Sequence, residues 1–89
     1  MKTNPNVIHR NVAGEDILVP VGETALEHNG LFVLTPTGAE LWDYLAEGKT
    51  LDEIVTVMSE DYEAEPDEIR KDAEALILKL KAMNLLLED

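Results

Sequence analysis

The chain has no cysteine, which excludes a disulfide framework and a thiolate metal site. Bases are scarce: seven Lys and Arg stand against nineteen Asp and Glu, for a net charge of −12. A surface of that sign repels phosphate backbones, so nucleic acid is not an expected partner. It keeps the chain soluble and favours basic or neutral peptides. No segment approaches the ~20 apolar residues that span a bilayer. The amphipathic stretches lack basic polar faces, and MKTNPNVIHRNV at the N-terminus has no apolar run of signal-peptide length. The expected location is the cytoplasm, with no membrane partner. The nucleophile elbow, the Gly-rich phosphate loop and HExxH are all missing. The chain is therefore expected to be non-enzymatic and to carry no cofactor.

What is present is the pattern of one small domain, residues 1–89, with 1–6 as a loose polar tail. Val7 to Arg10 reads as a short strand, and Ala13-Gly14-Glu15 as a turn. Ile17, Val19 and Val21 alternate with Asp16, Leu18 and Pro20, the period of a half-buried strand. Pro20 lacks an N–H and argues for an edge or bulge. Residues 22–30 form a loop with a turn at Asn29-Gly30, and Leu31 to Leu34 is the third strand.

Three helices follow. Thr35 caps the first and Pro36 suits its opening turn, with Thr37 and Glu40 as an alternative capping box. Leu41, Trp42 and Leu45 form its buried stripe, and Gly48 closes it. Thr50 and Glu53 make a capping box for the second, whose Leu51, Ile54, Val55 and Met58 fall at i, i+3, i+4 and i+7. The third starts at Pro66. Ile69, Ala73, Leu76, Ile77, Leu80 and Met83 are its core stripe, and Asn84 takes the left-handed cap position. Leu85 to Leu87 return against the body as an extended tail. A second set on this helix, Ala75, Leu78 and Ala82, reads as packing of Leu78 on the tail or sheet in preference to a partner surface. The fold class is α+β and winged-helix-like: a three-stranded antiparallel sheet followed by three helices.

Few residues offer chemistry. His9 and His28 could join a carboxylate around a metal, but read better as ordinary edge and loop histidines. Residues 59–68 hold six acids in ten positions, yet lack the glycine a calcium loop needs at its sharp turn. They read as a solvated turn between helices. Trp42 and Phe32 read as core anchors. DNA recognition would set Glu65-Pro66-Asp67-Glu68 against phosphates. The open edge of the third strand is the better surface. An extended peptide can pair with it and drop side chains beside it. A bare edge also lets two copies pair, so a homodimer is allowed.

In this order the motifs resemble the PqqD-like family, also called the RiPP recognition element, a module for ribosomally made, modified peptides. The resemblance rests on Arg10 and Glu15 around the first turn, then Leu34-Thr35-Pro36, Leu41-Trp42, Gly48-Lys49-Thr50, Glu53-Ile54-Val55, Asp72, Leu76, Leu80 and Asn84-Leu85. It spans residues 7–87. Thr35 stands where the family usually has Asn, and Asn84 where it has Gly; both can cap. The resemblance implies a chaperone that binds a precursor peptide leader and presents it to a modifying enzyme, often a radical S-adenosylmethionine protein. It implies that the leader adds to the strand Leu31, Phe32, Val33 and Leu34, with Ile69, Asp72, Ala73, Leu76 and Lys79 walling the groove. The competing expectation is a winged-helix regulatory or assembly module that binds no leader.

Overall fold

A computed structural model describes residues 2–21 and 32–88. Strands β1 (Lys2–Thr3), β2 (Val7–Val12), β3 (Glu15–Pro20) and β4 (Phe32–Leu34) precede helices α1 (Pro36–Ala46), α2 (Leu51–Asp61) and α3 (Pro66–Ala82), and β5 (Leu86–Leu87) ends the order. The sheet β2-β3-β4 is antiparallel throughout, as expected for the α+β class. The loop and turn assigned to 22–30, together with His28 and Leu31, lie outside the described residues.

Local chemistry accounts for the elements. Val12 and Glu15 pair across a two-residue turn in which Ala13 and Gly14 have φ of 52° and 85°. Positive φ at both central residues matches the right-handed twist of a hairpin. Thr35, rather than the Thr37–Glu40 pair, caps α1: the Gly38 N–H donates to its Oγ1 at 3.1 Å. Gly48, at φ 89°, ends that helix. The capping box of α2 is complete, with the Thr50 N–H donating to Glu53 Oε1 at 2.9 Å and the Glu53 N–H to Thr50 Oγ1 at 3.2 Å. Asp67 and Glu68 sit in the first turn of α3 and Lys79 and Lys81 in its last, each sign facing the favourable end of the dipole. Asn84 turns the chain at φ 61°.

The core joins the inner sheet face to the three helices. Leu18, Ile54 and Leu80 are fully buried, with Trp42, Leu45 and Ile77 around them. Burying each large aliphatic side chain contributes about 1.5–3 kcal/mol.

Three expectations change. The alternation in β3 runs in the opposite phase: Leu18 is the buried residue, and Ile17 and Val19 are only partly covered. Both faces of this strand carry aliphatic residues, so alternation alone cannot choose between them. The first residues are not a loose tail. Lys2 pairs with Leu87 and Thr3 with Leu86. Asn4 is buried, its Nδ2 donates to the Asn84 carbonyl at 2.8 Å, and its backbone N–H donates to the Leu85 carbonyl at 3.1 Å. The polar segment carries no hydrophobic period, yet it supplies the partner that the returning C-terminal strand needs. Leu78 does not pack on the tail or sheet; it is 71% exposed.

Candidate functional site

Strand β4 bonds to β3 on one side and has no strand on the other among the described residues. The direction of its main-chain groups follows from the ladder. The Val21 N–H donates to the Asn6 carbonyl at 2.7 Å, which makes Val7 and Pro20 a non-hydrogen-bonded pair in the register. In an antiparallel ladder the two kinds of pair alternate. Ile17 therefore directs its N–H and C=O toward β2, while Asp16 and Leu18 direct theirs toward β4. Val33, opposite Ile17, is left with both groups aimed at the open edge. Pro20 falls on the same alternation as Leu18, so its missing N–H costs no bond to β2 and lies past the last described β3–β4 pair.

Side chains on β4 alternate in the ordinary way. Leu34 is buried, Phe32 half-buried against the core, and Val33 is 60% exposed on the opposite face. Beyond the C-terminal end of β4 lies a cleft of about 320 Å³. One wall is α3, through Ile69, Asp72, Ala73 and Leu76; the other is the start of α1, through Thr35, Thr37, Gly38 and Leu41, with Met58 of α2 also lining it. Apart from Asp72 and the two threonines the lining is apolar, and it is large enough for one bulky side chain.

Gly38 sets the spacing. A Cβ there would stand 3.1 Å from Leu76 Cδ2, 3.2 Å from Thr35 Oγ1 and 3.6 Å from Leu34 Cδ2. The end of the edge strand, the cap of α1 and the groove wall of α3 thus converge on an atom that is absent. Glu40 braces the neighbourhood. Its carboxylate accepts from Tyr44 Oη at 3.1 Å and from Tyr62 Oη at 2.6 Å, tying α1 to the end of α2. Those bonds favour the protonated phenols, and the pKa values of both tyrosines are raised.

The structure brings four of the expected residues, Ile69, Asp72, Ala73 and Leu76, onto one cleft. Phe32, Val33 and Leu34 form the adjoining strand, Lys79 is exposed one turn beyond Leu76 on α3, and Leu31 lies outside the described residues. Thr35, Thr37, Gly38, Leu41 and Met58 were not anticipated as lining. Gly38 carried the one available signal: glycine inside a helix costs about 1 kcal/mol relative to alanine and usually marks a close approach.

His9 belongs to a different arrangement. Its Nδ1 is 2.8 Å from Asp43 Oδ1 and its Nε2 2.9 Å from Asp16 Oδ1, so it links β2 to β3 and to α1. Burial pushes its pKa down, but hydrogen bonds and charge from Asp43 and Asp16 outweigh burial and raise it above its ordinary value. The same contact, with help from Asn11, lowers the pKa of Asp16. Among the described residues no group of three or more His, Cys, Asp or Glu side chains could hold a metal ion. No described helix is long and apolar enough to cross a membrane.

An antiparallel sheet whose β4 edge is unpaired among the described residues, followed by three helices and a cleft at the junction, defines a winged-helix-like α+β domain. The family model described as "Coenzyme PQQ synthesis protein D (PqqD)" matches residues 23–86. The chain belongs to the PqqD family. Its fold is that of a solved structure described as TbiB1 in complex with the TbiA(beta) leader peptide, with a TM-score of 0.81, 24% identity and coverage of 100% of both chains. No curated protein matches.

Proposed function

We propose that this chain, as a single domain spanning residues 1–89, binds the leader segment of a ribosomally made precursor peptide and presents it to a modifying enzyme. The leader adds as a strand along β4, pairing with the open N–H and C=O of Val33. Phe32 and Leu34 lie beneath it. One of its apolar side chains enters the cleft lined by Leu41, Met58, Ile69 and Ala73. Asp72 and Lys79 supply polar contacts along α3. The observation that carries this reading is the outward main-chain pair at Val33 beside an apolar cleft. The leader found with TbiB1 and membership of the PqqD family support the choice of peptide.

Ordering a disordered leader costs about 2–5 kcal/mol. A few main-chain bonds at about 0.5–1.5 kcal/mol each offset only part of that, so the cleft has to contribute an apolar anchor. The chain itself performs no chemistry and acts in the cytoplasm. The enzyme it serves is a radical S-adenosylmethionine maturase. The test is amide-shift mapping of the isotope-labelled chain with a synthetic leader encoded beside its gene. Shifts at Val33 and along residues 69–76 are expected. Shifts confined to the solvent side of α2 would defeat the proposal.

A further inference from the structure

The outer face of the sheet, turned away from the helices, is aliphatic. Cross-strand partners share a face, so the register places Ile8 beside Val19, Arg10 beside Ile17 and Val33, and Val12 beside Glu15 on that side. Ile8, Val12 and Val33 are 39%, 52% and 60% exposed. An antiparallel sheet with one solvated face normally presents polar residues there. Here β-branched side chains occupy most of it, with the Arg10 guanidinium among them. Nothing in the core requires them, because the inner face already supplies Val7, Leu18 and Leu34.

We infer that this outer face docks the modifying enzyme, and that a leader added to β4 enlarges the surface the enzyme reads. The inference rests on the strand-addition reading above. An added strand continues the pleat, so every second leader side chain projects on the same side as Val33. The enzyme then meets one continuous surface, part domain and part leader. A loaded domain offers more of it than an empty one, which makes delivery selective for loaded copies.

Size and charge identify the occupant. β2 and β3, six residues each at about 3.3 Å per residue, with the three-residue β4 beside them at a strand spacing of about 4.8 Å, give a face of at most roughly 20 Å by 14 Å. That is well below the ~800 Å² per partner of a stable interface, so the surrounding rim has to contribute. The chain as a whole carries a net charge of −12, while the register places one base, Arg10, and one acid, Glu15, on this face. A second copy would bring the same charge against it and be repelled. The fitting partner is a protein of net positive charge that presents an apolar patch.

The probe is the purified peptide-modifying enzyme encoded beside this chain's gene, titrated against the full chain with and without synthetic leader. The double variant Ile8→Lys, Val12→Lys changes only β2, the strand farthest from β4, at two exposed positions. It is expected to weaken enzyme binding about tenfold or more while leader affinity changes by less than about twofold. Saturating leader is expected to tighten binding of the wild-type chain about threefold or more, and added salt to weaken it. Enzyme binding to the variant as tight as to the wild type, or a wild-type dimer in sedimentation that the variant breaks, would overturn the inference. The leader-free titration still reports on this face if the leader itself proves not to bind, so loss of the strand-addition reading is told apart from loss of this one. Should circular dichroism show the double variant unfolded, Ile8→Thr with Val12→Thr replaces it under the same criteria.

Discussion

Replacing Val33 by proline isolates the main-chain contribution to peptide capture. The ladder directs the Val33 N–H away from β3, so proline removes a donor that the sheet does not use. Proline is tolerated on an edge strand whose N–H faces outward, and it biases the preceding residue toward extended backbone, which Phe32 already adopts within β4. The folded domain therefore loses little, and a melting temperature within a few degrees of wild type is expected. Binding loses more. The leader carbonyl that met this N–H is left facing a ring, at a cost of about 1–3 kcal/mol. With 1.4 kcal/mol per factor of ten, that is roughly a 5- to 150-fold weaker complex. Val33→Ala is the control. It keeps the N–H and trims a side chain that is 60% exposed on the opposite face, so a change below about threefold is expected in the absence of enzyme. Calorimetry with the cognate leader reads both variants. Equal affinities for Val33→Pro and Val33→Ala, with both proteins folded, would refute strand addition at this edge.

Two further outcomes follow from local geometry. Gly38→Ala places a methyl 3.1 Å from Leu76 Cδ2 and 3.2 Å from the capping Thr35 Oγ1. The helix gains about 1 kcal/mol of propensity against a strained cap worth about 0.5–2 kcal/mol, so thermal stability is expected to change little while the narrowed cleft weakens leader binding; unchanged affinity would remove the cleft from the site. His9 gives a pH signature. Its folded pKa is raised above 6.5, so its ion pairs with Asp16 and Asp43 stabilise the fold fully below that value and are lost as pH rises through the folded pKa. Melting curves of wild type and His9→Gln between pH 5 and 8 should converge toward the alkaline end, and parallel curves would count against the linkage.

Much of this was legible in the residues because each helix carries its own punctuation. Thr35-Pro36, Gly48, the Thr50–Glu53 box and Asn84 mark ends by local chemistry, and the structure uses all of them. That Ile69, Ala73 and Leu76 share a helical face was legible too, whereas the expectation that they wall a groove came only from the resemblance to the family. What escaped depended on partners distant in sequence. The phase of β3 is set by the helices that cover Leu18, not by its own alternation. The pairing of Lys2–Thr3 with Leu86–Leu87 joins segments that carry no period of their own. The outward aim of Val33 is a property of register, and register appears only when three strands stand side by side. Gly38 could be noticed, but its role required knowing that Leu76 and Leu34 both approach it.

The clasp between the first strand and the last has a practical corollary. With Lys2 opposite Leu87, the first and last strands of the fold are neighbours about 5 Å apart, the usual spacing across a sheet. A copy of this fold grafted into a surface loop of a larger host would need only short joints and would not pry the host apart. The same architecture can thus travel as a cassette within a longer polypeptide.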